Sequence, residues 1–222
     1  MMMNLFSIFD PSTSSTTSLN WMSTTIAMLF IPLNYWLIPS RLHYIWFFIT
    51  KSLFKEMKNL FNLNKNKKIL FFIMLFWFIL MNNFLGLFPY IFTATSHINL
   101  TSLMALPMWI SFMLYGWINQ TKHMFSHLVP TGTPMMLSVF MVLIETISNM
   151  IRPLTLAVRL TANMISGHLL LCLLSNIMQN FPSINIIIFP IMMILLILEM
   201  AVAIIQSYVF ITLTSLYLNE LN

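Results

Sequence analysis

Of the 222 residues, 59% are hydrophobic and only 7% charged, against about 25% charged in a typical soluble domain. So little charge cannot cover a globular surface. This excludes a water-soluble fold and leaves one that faces lipid, of a size suited to a single membrane domain spanning 1–222. The net charge of +5 is not a nucleic-acid footprint, because six of the ten basic residues (Lys51, Lys55, Lys58, Lys65, Lys67 and Lys68) lie in one stretch and mark a side of the membrane.

The opening MMMNLFSIFDPSTSSTT has no basic region ahead of an apolar core, so neither a cleaved secretory signal nor an Arg-rich transit peptide is expected. Residues 21–38 form the first apolar run. At about 1.5 Å per residue this run nearly spans a hydrocarbon core of roughly 30 Å before Pro39 breaks it. Over 41–63, Leu42, Trp46, Ile49, Leu53, Met57 and Leu60 recur at three- and four-residue spacing, with Lys51, Lys55, Lys58 and Asn62 on the opposite side. That pattern predicts an amphipathic helix on a membrane surface, ended by the lysine cluster at 65–68. Residues 69–90 and 100–118 read as a transmembrane hairpin joined by a short polar loop around Ser96 and His97. Lys and Arg counts put 41–68 and 119–127 on the inner side, with 91–99 and the N-terminus outside. The N-x-T triplets at Asn99 and Asn119 read as chance, since nothing else indicates secretion.

After VPTGTP (129–134) an apolar run extends over 135–177, interrupted only by Pro153. A helix of this length would measure roughly 65 Å, about twice the bilayer core. After NFPS (180–183) a second run covers 184–218, about 50 Å as a helix. Helices this long must tilt steeply or bend, which predicts an inclined antiparallel hairpin. The lone Cys172 lies in the first run, so no intrachain disulfide can form. The fold class expected is an all-α integral membrane protein, with about five membrane-embedded helices and one amphipathic surface helix.

Glu145 and Glu199, two of the five acidic residues, fall inside these last segments, together with Arg152, Arg159 and His168. A charge at the centre of a membrane helix costs about 2.5–3.5 kcal/mol, so each calls for a reason. Glu145, Asn149, Arg152, Arg159, Asn163 and Ser166 follow one another at intervals of four, three, seven, four and three, and so share one helical stripe. His168 is nine residues beyond Arg159, near the opposite face, while Glu199 and Gln206 are seven apart on one face of the second segment. Asn149, Arg152 and Ser166 can be read equally as interhelical hydrogen-bonding groups, and Arg152 as snorkelling to the interface. Arg159 sits about 21 Å along the helix from Glu145, too far for a simple ion pair, and a guanidinium at mid-membrane points to an electrostatic function.

RLTANMISGHLLL (159–171), IETIS (144–148), LEMAVAIIQSYVF (198–210), FLGLFPY (84–90), LVPTGTP (128–134) and the NLF near the start together resemble the subunit a family of F-type ATP synthases, over nearly the whole chain. Having His168 with Glu199 is similar to the mitochondrial form, since bacterial members tend to carry acid and imidazole in exchanged places. The 21 Met and 20 Phe against 4 Gly fit an AT-rich organellar genome. The resemblance implies that Arg159 faces a rotating ring of c subunits, with Asn163 one turn along and Gln206 across the hairpin. It implies that Glu199 and His168 line a half-channel open to the outer side, and that Glu145 lines one leading to the matrix. The implied partners are the c-subunit ring, the peripheral stalk and other F0 subunits, lipid and protons. The implied location is the mitochondrial inner membrane, with the N-terminus in the intermembrane space and the 41–68 segment on the matrix side.

Two other functions remain open for these residues. A secondary transporter with a proton relay would be expected to show internal repeats and Gly/Pro-interrupted helices. A structural anchor would have no transport role of its own. His123 and His127 have the i, i+4 spacing of a metal pair but lack the Glu of a zincin motif, so no metal site is expected. With no Ser–His–Asp set and no phosphate-binding loop, the chain is expected to be non-catalytic and free of cofactors.

Overall fold

The computed structural model describes residues 5–14, 16–32, 36–61, 66–129, 134–181, 183 and 185–220, and the side chains of all of these except 5, 66–68, 123, 127, 135, 136 and 220. Lys65 and residues 130–133 therefore lie outside the described residues, as do the side chains of Lys67, Lys68, His123 and His127. The described fold is all-α: α1 (Ser23–Leu29), α2 (Arg41–Leu60), α3 (Asn66–Gly86), α4 (Ile98–Asn119), α5 (Thr121–Leu128), α6 (Met135–Asn180) and α7 (Asn185–Glu220), with 3-10 turns at Leu5–Phe9, Leu19–Met22 and Ala94–Ser96.

Among the described residues, α3, α4, α6 and α7 are long and apolar enough to cross a membrane. The run at 21–38, expected as a span, instead contains the short helix α1, about 10 Å long. Thr24 and Thr25 bond back to the carbonyls of Trp21 and Met22 at 2.9 and 2.8 Å, and Pro32 lacks the N–H needed to carry a helix on. Among the described residues four helices are long and apolar enough to cross, and none of them lies in the run at 21–38.

Helix α2 starts at Ser40, whose hydroxyl accepts a hydrogen bond from the His43 N–H at 3.4 Å, and has Lys58 in its last turn. Its inward stripe contains Trp46, Leu53, Met57 and Leu60, while Leu42 and Ile49 of the expected stripe are exposed. Trp46 stacks on Trp77 of α3 with ring centroids 3.5 Å apart and 19° between planes. Further along, the Tyr208 hydroxyl of α7 donates to Glu56 Oε2 at 3.3 Å. The core lies where Met57 of α2 and Phe61 just after it meet Phe72 and Phe76 of α3, Leu156 and Leu160 of α6, and Phe210 and Ile211 of α7. Truncating Trp77 to alanine removes both its stack and its share of this core. The expected cost is about 3 kcal/mol, measurable as a lowered thermal midpoint of the detergent-solubilised complex.

Helix α6 runs unbroken through Pro153 for 46 residues, roughly 69 Å. Helix α7 follows for 36 residues, passing through Pro190. The two helices pair antiparallel, with Arg152 over the Tyr217 ring, Asn163 bonded to Gln206, and Gly167 against Glu199. Leu143, Met150, Leu154 and Val158 of α6 and Ile194, Ile197 and Ile205 of α7 are exposed, so the hairpin presents an apolar outer surface.

Candidate functional site

Beyond the core, the hairpin borders a cavity of about 310 Å³ together with Leu87, just past the end of α3. Leu87, Asn163, Met164, Ser166, Gly167, His168, Leu170, Leu195, Leu198, Glu199 and Val202 line it. The absence of a side chain at 167 is what lets the Glu199 carboxylate lie against α6, since a Cβ there would stand 2.8 Å from Oε1 and 2.9 Å from Cδ. Glu199 is only 8% exposed. Neither of its oxygens, nor Nε2 of His168, has a hydrogen-bond partner among the described residues. Buried polar atoms that the protein does not satisfy are normally met by water, so this is a site made to exchange hydrogen bonds with solvent. The Phe9 ring stands edge-on to the imidazole at 6.3 Å, which brings the first 3-10 turn to the cavity.

At the edge of the cavity, the Asn163 amide donates to Gln206 Oε1 at 3.0 Å, and Gln206 is itself buried. Arg159, a further turn along, is exposed and has no ion pair or hydrogen bond among the described residues. At the other end of the stripe, Arg152 lies 3.7 Å from Glu145 and packs over the Tyr217 ring at 5.2 Å. Asn149 is half-buried between them. The Ser166 hydroxyl donates to its own helix, at the Asn163 carbonyl, 3.1 Å away.

The residues singled out from the sequence therefore fall into three groups. His168, Glu199, Asn163 and Ser166 share the cavity, with Gln206 joined to them through Asn163. Glu145 and Arg152 form a pair well away from it, and Arg159 lies between the two with no ion pair or hydrogen bond among the described residues. His168 and Ser166, although nearly opposite around the helix, border the same space, because the cavity spreads over more than one face of α6. Sequence reasoning passed over Gly167, Tyr217 and Phe9. Gly167 did carry a signal, because glycine in a helix interior costs about 1 kcal/mol and invites a packing reason. Nothing in the sequence pointed to Tyr217 or Phe9.

A model of the family described as ATP synthase A chain matches residues 17–219. This chain belongs to the ATP synthase A chain family. It is similar over its whole length, and that of each relative, to "ATP synthase subunit a" of Anopheles gambiae and of Drosophila melanogaster, 58% identical over 227 residues in each case, and of Aedes aegypti, 58% identical over 228. Membership makes the chain a proton-conducting F0 subunit, itself non-catalytic, that acts with the other F0 subunits of ATP synthase. The four long apolar helices agree with a multi-pass membrane protein.

Proposed function

We propose that the chain forms two offset half-channels against a ring of c subunits in the mitochondrial inner membrane, with its N-terminus towards the intermembrane space and α2 on the matrix face. The observation that carries this reading is the cavity in which His168 and Glu199 both present unsatisfied polar atoms, with His168 about 14 Å along α6 from an exposed Arg159 that has no ion-pair partner among the described residues. A proton enters the cavity from the outer side, is exchanged by His168 and Glu199, passes the Asn163–Gln206 pair, and neutralises a ring carboxylate, which can then face lipid. After the ring turns, the proton leaves past Glu145 towards the matrix. Arg159 keeps its charge, repels protons crossing directly between the two paths, and attracts the ionised ring carboxylate. Each proton brings about 2.3 kcal/mol per 100 mV of membrane potential. Arg152, held between Glu145 and Tyr217, fastens α6 to α7 beside the inner half-channel, with Asn149 on the same stripe. Ser166 belongs to the cavity wall.

Glu199→Gln tests the reading, because glutamine keeps the shape of the side chain and cannot exchange a proton. In membranes stripped of F1, passive proton conduction through the assembled complex should fall by about tenfold or more. Conduction at the parent rate would mean that Glu199 lies off the path.

A further inference from the structure

The first 3-10 turn, Leu5–Phe9, reaches the hairpin through one side chain. Phe6 and Ile8 are exposed, whereas Phe9 is half-buried, its ring 6.3 Å from the His168 imidazole and at 86° to it. Perpendicular rings at this distance attract through their quadrupoles, so the contact has a preferred orientation. The chain that follows fastens the turn in place. Beside Phe9, the Asn20 amide donates to the Asp10 carbonyl at 3.3 Å, and between these two the Thr13 hydroxyl donates to the Thr17 carbonyl at 3.0 Å. Trp21 then packs on Phe92 and His97, with ring centroids 5.6 and 5.2 Å apart, which ties the segment to the connection between α3 and α4. His168 lines the cavity and Phe9 does not, so the Phe9 ring backs the imidazole on a side away from that space. The imidazole needs a second support. The Gly86 backbone, at the end of α3, offers it one hydrogen bond, while Nε2 is buried with no partner among the described residues. A ring held at one point can still turn about that point.

We infer that Phe9 is a positioning residue of the proton path that acts through His168, holding the imidazole in the plane that keeps Nε2 open to water in the cavity. This rests on the half-channel reading above and adds the group that orients one of its two exchanging side chains. Proton exchange at Nε2 runs through a hydrogen bond, which weakens steeply once bent below about 120°. A ring free to turn leaves that range for part of the time, and proton transfer waits for its return. The Phe9 ring limits the turning and brings no polar atom that would compete for Nε2. An aliphatic side chain of similar size would fill the same space but has no ring plane to set the angle.

The test compares assembled ATP synthase carrying Phe9→Leu, Phe9→Tyr and His168→Gln, reading passive proton conduction in F1-stripped membranes and the thermal midpoint of each purified complex. The expected result is that Phe9→Leu conducts about fivefold more slowly, the rate equivalent of one lost ring–ring contact, with an unchanged midpoint. Phe9→Tyr, which keeps the ring, should conduct near the parent rate. Phe9→Leu conducting at the parent rate overturns the inference, because filling the space would then be all that Phe9 does. Slow conduction that tyrosine does not restore overturns it as well, and so does failure of Phe9→Leu to assemble, which would make Phe9 a structural residue. Slow His168→Gln with normal Phe9→Leu removes only the role of Phe9, whereas normal His168→Gln removes the place of His168 in the half-channel reading on which it rests.

Discussion

Arg159→Ala yields an assembled ATP synthase that hydrolyses ATP without pumping protons. The expectation of assembly comes from the surroundings of the side chain. Arg159 is exposed on α6 and has no ion-pair partner among the described residues, so its removal leaves no buried counter-charge behind. The packing of this stretch comes instead from its neighbours Leu156, Ala157 and Leu160, which are all buried. The expectation of lost pumping comes from charge alone. On the proposed reading, without a fixed cation between two half-channels nothing compels an ionising ring carboxylate to release its proton, and protons cross directly. Coupled pumping should fall below detection while passive leak rises. Arg159→Lys, which keeps the charge but not the planar fork, should recover little of the loss. Fluorescence quenching driven by ATP, with assembly checked on native gels from the same membranes, gives the answer. Assembled complexes that pump normally would return Arg159 to an incidental surface charge, and failure to assemble would favour a structural anchor.

The second large effect is expected from Gly167→Ala, a change of one methyl group. A Cβ at this position meets Oε1 of Glu199 at 2.8 Å and Cδ at 2.9 Å, closer than non-bonded atoms normally approach. What it meets is the end of a flexible side chain, so the carboxylate can swing aside at little cost to the fold. Alanine is also the better helix former by about 1 kcal/mol. Stability should therefore hold or rise while proton conduction falls by about tenfold, because the group that exchanges protons has been moved from its place. The double variant Gly167→Ala with Glu199→Asp supplies the check. Aspartate is shorter by one methylene and leaves room for the new methyl, so it should conduct better than Gly167→Ala alone. If the double variant is instead slower by the product of the two single effects, the two positions act independently and steric displacement is not the cause.

These expectations show what was legible in advance. The α3, α4, α6 and α7 spans could be read because each is an apolar run whose length exceeds what a buried core helix needs. Within the run at 21–38 hydropathy did not show that the described helix would be as short as α1, because it ignores Pro32 and threonines that bond back to the backbone. For the site, the i, i+3, i+4 stripe located Arg159, Asn163 and Ser166 on one side of α6, and family resemblance put Gln206 across the hairpin near Arg159; its hydrogen bond in the structure is to Asn163, at 3.0 Å. The cavity could not be read, since it depends on how far two helices separate around a glycine. The contact of Phe9 with His168 was equally hidden. The two are far apart in the sequence, and only packing brings their rings together.

The attachment of α2 has a mechanical consequence. It is held at Trp46 by the stack on Trp77 and at Glu56 by Tyr208 of α7, two points about 15 Å apart along its axis. A rod pinned once can swivel, but a rod pinned twice turns only with the body it is fixed to. If the hairpin works against a turning ring, it feels a sideways drag on every step. On the proposed placement of α2 along the matrix face, a helix fixed in this way acts as a keel, spreading that drag into the viscous headgroup layer and the neighbouring subunits rather than letting the bundle twist with its rotor.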